Sequence, residues 1–176
     1  MKKVVVISSS LRNGSNSEIM AKEFAKGASF KNEVIFISLK DLKIEFCLGC
    51  LVCQNQRNCV INDDMHSYLE EISNADVLVF ATPIYYYGMS GQLKTFLDRL
   101  NPLYVRKNNF KDVYLLASCA DDNPSAIDKT IVSLDGWIEC FEGVKLKGYL
   151  LSSSTTNPKS LSEETKIKSY NLGKEI

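Results

Sequence analysis

Short unbroken apolar runs alternate along the chain with longer segments whose apolar residues recur every three or four positions. The first run, Lys3 to Ile7, is continuous and β-branched, the pattern of a strand buried on both faces. Similar runs follow at Glu33 to Ser38, Asp76 to Thr82, Val113 to Ala117 and Lys147 to Leu151. Pro83 has no amide to donate to a ladder and is expected to end the third strand. Between the first two runs, Glu18 to Lys26 carries Met20 and Phe24 on one helical face, with Gly27 as a stop. Asp63 or Asp64 is expected to cap a helix running to about Asn74, and Ser90 one with Leu93, Phe96, Leu97 and Leu100 on one stripe. Asn123-Pro124 opens a helix bearing Ile127, Ile131, Leu134, Ile138 and Phe141. Ser160 and Glu163 read as a capping box before the last helix.

Five strands separated by helices, with right-handed crossovers, predict an α/β fold whose parallel sheet is covered on both faces. Ligands of such sheets bind beyond the carboxyl ends of the strands, which directs attention to the loops after the first, third and fourth. A length of 176 residues fits a single domain spanning 1–176, with 39–62 as a cysteine-rich insertion. Hydrophobic residues make up 45% and charged residues 24%, which excludes a disordered chain. Lys plus Arg and Asp plus Glu both total 21, so the basic surplus of a nucleic-acid binder is missing. No apolar run approaches the length needed to cross a bilayer. The start Met1-Lys2-Lys3 meets only a four-residue apolar core before Ser8-Ser9-Ser10, too little for a signal peptide, and a cytoplasmic protein is expected. Its six cysteines are then better read as thiols or ligands than as disulfides.

Two loops carry candidate binding chemistry. Residues 8–17, SSSLRNGSNS, offer hydroxyls, an amide, the Arg12 guanidinium and amides at a helix N-terminus, the makings of a phosphate site. The Gly-Lys-Ser/Thr ending of a triphosphate loop and the spaced glycines of a dinucleotide loop are both absent, which favours a monophosphate. The plain alternative is a polar turn with Asn16 or Ser17 as the helix cap. Residues 82–91, TPIYYYGMSG, follow the third strand, and three successive tyrosines in an irregular segment cannot all face a core. An aromatic wall beside a phosphate cradle suggests a planar heterocycle attached to a phosphate; tyrosines packed on neighbouring helices are the alternative.

Taken together, these loops resemble the NADPH-dependent FMN reductase family, which has a flavodoxin-like fold. Ser8, Ser10, Arg12, Asn16 and Ser17 fall on the first family motif, with Leu11 and Ser9 replacing its usual proline and glycine. Pro83, Tyr85, Ser90, Gly91, Leu93, Lys94, Asp98 and Arg99 fall on the second. The resemblance implies FMN as cofactor, a flavodoxin-like three-layer sandwich and a five-stranded parallel sheet in the order 2-1-3-4-5. It implies a cofactor site built from Ser8, Ser10, Arg12, Ser15, Asn16 and Ser17, then Pro83, Ile84, Tyr85, Tyr86, Tyr87 and Gly88. Ser118, Cys119 and Ala120 complete it at the flavin's pyrimidine edge, although this stretch departs from the family's glycine-rich version. A homodimer or homotetramer is implied as well.

Cys47, Cys50, Cys53 and Cys59 crowd a segment too long for an ordinary crossover. The Cys-x2-Cys-x2-Cys opening is the rhythm of a cubane iron–sulfur site, whereas zinc ligands usually come as two well-separated pairs. The segment resembles that of the iron–sulfur flavoproteins, a branch of the same family carrying a 4Fe–4S cluster. Free thiols on a loop shaped by Leu48 and Gly49 are the other reading, since relatives with similar segments before Asp63-Asp64-Met65 are not all cluster proteins. His66 is expected to be an exposed helix residue, Trp137 packing, Cys140 part of a buried helix, and Lys94, Asp98 and Arg99 surface ion-pair partners.

The expected function is FMN-dependent oxidoreduction, with NAD(P)H reducing a flavin, quinone or similar acceptor and no protein acid or base required. The alternative is an iron–sulfur flavoprotein that couples FMN and a 4Fe–4S cluster to a ferredoxin-like partner. A domain that binds a phosphorylated ligand without redox work is a third reading.

Overall fold

The structure, a computed structural model, describes residues 1–176. Its sheet contains β1 (Lys3–Ser8), β2 (Glu33–Ser38), β3 (Val77–Tyr85), β4 (Gly88–Met89), β5 (Asp112–Ser118) and β6 (Lys145–Ser152). The helices are α1 (Asn16–Ala28), α2 (Val52–Gln56), α3 (His66–Ser73), α4 (Gly91–Arg99), α5 (Asp128–Ile138) and α6 (Glu163–Lys174). The parallel strands lie in the order β2-β1-β3-β5-β6, and β4 pairs antiparallel with the end of β3. With that short hairpin strand set aside, the order is the expected 2-1-3-4-5. The fold is α/β and flavodoxin-like.

Side chains alternate across the sheet and feed two cores. Val5, Ile7, Leu78 and Phe80 face a larger one completed by Leu69 and Ile72 of α3, Phe96 of α4 and Leu134 of α5. Val4, Val6, Val77 and Val79 face a smaller one with Met20 and Phe24 of α1 and Leu161 before α6. Trp137 packs as expected, 4.7 Å from Phe141 between ring centroids. Helices α1 and α6 cross at van der Waals contact: a Cβ at Gly27 would stand 2.0 Å from the Tyr170 carbonyl oxygen, and one at Gly173 2.1 Å from that of Phe24. No helix is long and apolar enough to cross a membrane.

Several local expectations are corrected. Pro83 does not end β3; it pairs with Ser118 of β5, while the pairing with β1 stops at Ala81, so the strand runs on where that ladder has already closed. The N-cap position of α3 is Met65, not Asp63 or Asp64; Asp63 Oδ1 still accepts from the Met65 amide at 3.1 Å just ahead of the helix, but its carboxylate also serves Arg99 and the Glu45 amide, and Asp64 is drawn to the Lys43 amide. Ser162, not Ser160, caps α6, since the Ser160 hydroxyl is turned toward Asn157 and Asn16. Cys140 lies beyond α5 and is exposed. Lys94 and Asp98 do form a half-exposed pair at 2.6 Å, but the Arg99 side chain is completely buried.

Candidate functional site

The chain turns from β1 to β2 on one side and to β3 on the other, which opens a crevice at the carboxyl end of the sheet. The loop after β1 is bolted to the loop after β3 by a buried hydroxyl chain. Ser90 Oγ donates to Ser9 Oγ at 3.0 Å, Ser9 Oγ donates to the Ala81 carbonyl at 3.0 Å, and the Ser90 amide donates to Thr82 Oγ1 at 3.0 Å. Ser15 caps α1 by accepting from the Glu18 amide, so the cap is neither Asn16 nor Ser17. The amides of Asn16 and Ser17, at the start of α1, have no carbonyl partner inside the helix, and Asn16 itself lines the crevice.

A cleft of about 160 Å³ gathers Ser10, Arg12, Ser15 and Asn16 from the first loop, Pro83, Ile84 and Tyr85 from the third, and Ser118, Cys119 and Ala120 from the fifth strand's end. Ser8 and Ser17 are buried just behind it, and Ser8 Oγ and Asn16 Oδ1 have no hydrogen-bond partner. Tyr86, Tyr87 and Gly88 form the hairpin turn into β4 outside this enclosed part, with Tyr86 fully exposed. Burial, reinforced by the Asp121 charge, pushes the Cys119 thiol up, which keeps it protonated and weakly nucleophilic.

The segment after β6 contributes a wall that sequence reasoning missed. Thr155, Thr156 and Pro158 line the cleft. Asn16 Nδ2 donates to the Asn157 carbonyl at 2.8 Å, and Arg12 Nη1 to that of Thr156 at 3.2 Å. The Lys159 side chain lies over Gly14, and Lys40 Nζ donates to Asn13 Oδ1. Arg12 is thus the only cation within the first loop, but two lysines from distant segments flank it. No pattern within residues 153–160 signals this, because the contacts span more than 130 positions. The largest cavity, about 560 Å³, lies elsewhere, between Leu11 and the outer face of α4.

The cysteine segment folds beside the other end of α4. Cys47, Cys50, Cys53 and Cys59 line a single cavity of about 20 Å³ together with Arg99 and Asn101. Cys53, on α2, is buried; Cys47 and Cys50 are exposed, and a Cβ at Gly49 between them would meet nothing within 4 Å. Asn101 Nδ2 donates to Cys53 Sγ at 3.2 Å. Burial raises the Cys53 thiol, and the Asn101 amide works against that rise. Arg99 clamps the segment from beneath, donating to Asp63 at 2.6 and 3.0 Å and to the Glu45 carbonyl at 2.7 Å. Burial opposes the Asp63 charge, but Arg99 and the Glu45 and Met65 amides hold the carboxyl below the usual carboxylate range. His66 is half-buried, not exposed, with Nε2 2.8 Å from the Cys59 carbonyl oxygen.

A sequence model of the NADPH-dependent FMN reductase family matches residues 2–134, three quarters of the chain and all three crevice loops before β6. The chain belongs to that family. FMN is therefore its cofactor and NAD(P)H its co-substrate. The chain is 32% identical over 157 residues to the putative NAD(P)H-dependent FMN-containing oxidoreductase YwqN of Bacillus subtilis, covering 85% of this chain and 83% of that one. It is 35% identical over 104 residues to the iron–sulfur flavoprotein MJ1083 of Methanocaldococcus jannaschii, covering 58% of this chain and about half, 54%, of that protein. The solved NAD(P)H:quinone oxidoreductase of Methanothermobacter marburgensis superposes with a TM-score of 0.74 at 17% identity, covering 99% and 96% of the two chains. That last likeness concerns the fold alone.

The FMN reductase reading fits the donors present. A monophosphate suits a helix N-terminus flanked by Ser10, Ser15 and Asn16 with a guanidinium at its rim, and the orphaned Ser8 Oγ and Asn16 Oδ1 mark polar capacity still to be filled. For the cysteine segment it is the donor chemistry that fits: four thiols lining one cavity are the ligand set of a cubane, one thiolate per iron, although no three of them converge on one point as they stand.

Proposed function

We propose that the first loop binds the FMN phosphate and that the Tyr85 to Gly88 turn and the Ser118 to Ala120 loop frame its ring. The observation that carries this reading is the cleft itself, in which three separate crevice loops meet around an N-terminal helix turn. A volume of about 160 Å³ is below the roughly 300 Å³ of a whole-ligand pocket, so the enclosed part suits the phosphate end. The ring then lies outward on the exposed tyrosines. Bound FMN supplies the redox chemistry, accepting hydride from NAD(P)H and passing electrons to a flavin, quinone or similar acceptor. The protein's own task is to bind and orient: Arg12 and the serines hold the phosphate, and the turn presents one ring face to the co-substrate. No side chain in the cleft is asked to act as an acid or base. An exposed apolar surface around Leu11 and Phe46 supports assembly as a homodimer or homotetramer, and the protein is taken to work in the cytoplasm.

Arg12→Ala is the test. A hydrogen bond to a charged group contributes about 1.5–3 kcal/mol, so FMN affinity should fall roughly ten- to a hundredfold in a fluorescence titration. Affinity equal to the parent's would remove the phosphate from this loop.

A second reading is favoured by one observation, the meeting of all four clustered thiols on one cavity with an amide already aimed at a sulfur. In it, Cys47, Cys50, Cys53 and Cys59 hold a 4Fe–4S cluster, and the protein exchanges electrons with a ferredoxin-like partner. Protein purified without oxygen should then show a broad brown absorbance beside the flavin bands, with iron and acid-labile sulfide. FMN-loaded anaerobic protein without either would leave the plain reductase.

A further inference from the structure

Asn101 follows α4 at the first position of a 3-10 turn, Asn101–Val105, and caps nothing: the turn's N-cap position is Leu100. Its side-chain amide instead reaches back to the one buried thiol of the cysteine segment, Cys53 Sγ, at 3.2 Å. A neutral thiol is a weak acceptor, so this is an indifferent use of a half-buried amide unless the sulfur carries negative charge. Arg99, beside it in the chain, also lines this cavity. Arg99 Nε is buried with no hydrogen-bond partner, although the rest of its guanidinium is engaged by Asp63 and loop carbonyls, and Cys59 lines the same cavity. From the extension of α4, Asn101 therefore reaches the one buried sulfur of the set, Cys53, while Cys47 and Cys50 are exposed.

We propose that Asn101 is a positioning residue for the four-cysteine centre: its amide holds the Cys53 sulfur in the ligating arrangement and stabilises the negative charge that sulfur carries. The proposal rests on the reading in which these cysteines hold a 4Fe–4S cluster. Hydrogen bonds to ligating sulfurs favour the more negative, reduced form and so raise the reduction potential. They also fix the ligand's orientation, and losing such a supporting partner typically weakens metal retention about ten- to a hundredfold. The position of Asn101 gives the effect a direction. It acts on the inner, α4 side of the centre, the side that runs back along α4 to Ser90 and the tyrosine turn.

The test uses the full chain loaded anaerobically with ferrous iron and sulfide, and compares the parent with Asn101→Leu and Asn101→Asp. Asn101→Leu removes the donor at similar volume; Asn101→Asp keeps the shape and puts an acceptor against the sulfur. Both are expected to lower the midpoint potential of the iron–sulfur chromophore, Asn101→Asp more, and to speed iron loss to a chelator ten- to a hundredfold. FMN affinity, measured on the same samples, reports that the fold is intact. A parent that takes up neither iron nor sulfide overturns the cluster reading and the proposal with it. A parent that loads, beside variants with the parent's potential and iron retention, overturns the role of Asn101 alone.

Discussion

Replacing Arg99 with methionine isolates the ion pair that anchors the cysteine segment. The Arg99 side chain has no exposed surface and that of Asp63 is only 7% exposed, so water cannot take over when the cation is removed. Asp63 loses two contacts, at 2.6 and 3.0 Å, and the Glu45 carbonyl loses a donor at 2.7 Å. Breaking a buried pair from one side costs about 3–5 kcal/mol, because the remaining charge stays buried. For a chain of this size, about 2–4 °C of melting temperature is lost per kcal/mol, which makes roughly 6–20 °C in all. Urea unfolding of the FMN-free protein gives the free energy, and the cycle completed by Asp63→Asn and the double variant gives the coupling. The double variant should be far less destabilised than the two singles added together, since neither charge is then left alone. A single-variant cost below about 1 kcal/mol, the range of an exposed surface pair, would refute the argument.

The same carboxylate sets an acid limit. Because Asp63 is held below its ordinary value of about 3.9, its contribution is fully present above that pH and is lost as pH falls through the depressed folded value. The stability gap between the parent and Asp63→Asn should therefore narrow below about pH 4, and parallel urea midpoints from pH 7 to pH 3 would contradict it. At the α1–α6 crossing, Gly27→Ala places a methyl 2.0 Å from a backbone oxygen that cannot swing aside. The resulting strain of about 1–3 kcal/mol should exceed the gain of roughly 1 kcal/mol in helix propensity, so a melting temperature above the parent's would show that the helices can separate freely.

What was legible in the sequence is what depends on neighbours in sequence. The five long strands, the stripe on α4 and the Ser90 cap all appear where the pattern places them, since a cap bonds three residues ahead and a stripe repeats every turn. The expectations that failed were those in which a distant group competes. Asp63 is taken by Arg99, 36 positions away, and Ser160 by Asn16, 144 positions away. The burial of Arg99 was hidden for the same reason: a cation at the end of an amphipathic helix reads as surface until the cysteine segment is folded over it. The first and third loops of the cleft could be read from their residue types. Thr155, Thr156 and Lys159 could not, because nothing in a polar loop reveals which other loop it will cover.

The turn from β3 to β4 shows a local cost that the fold does not require. Its two central residues, Tyr86 and Tyr87, both have left-handed backbone, with φ of 50° and 64°. Two-residue hairpins of this kind favour Asn-Gly, because a β-carbon is strained there. Tyr87 recovers part of that cost: its hydroxyl donates to Asp121 at 2.7 Å, and Lys129 stands 5.4 Å above its ring. Tyr86 recovers none, being fully exposed, and a strained, unsupported aromatic points to a ligand rather than to packing. Tyr86→Asn should therefore stabilise the FMN-free protein, by about 0.5–1 kcal/mol, as a residue better suited to the turn. If the ring of FMN rests on Tyr86, the variant should also lose about 0.5–1.5 kcal/mol of aromatic contact, which is roughly a two- to tenfold weaker affinity. Urea unfolding with and without saturating FMN separates the two effects, since bound ligand adds stability in proportion to the logarithm of its affinity. A variant that is less stable without FMN would mean the turn is not strained by tyrosine. One that binds FMN as tightly as the parent would mean the ring lies on another side chain, and Tyr86 would be left holding a costly position for some partner other than the flavin.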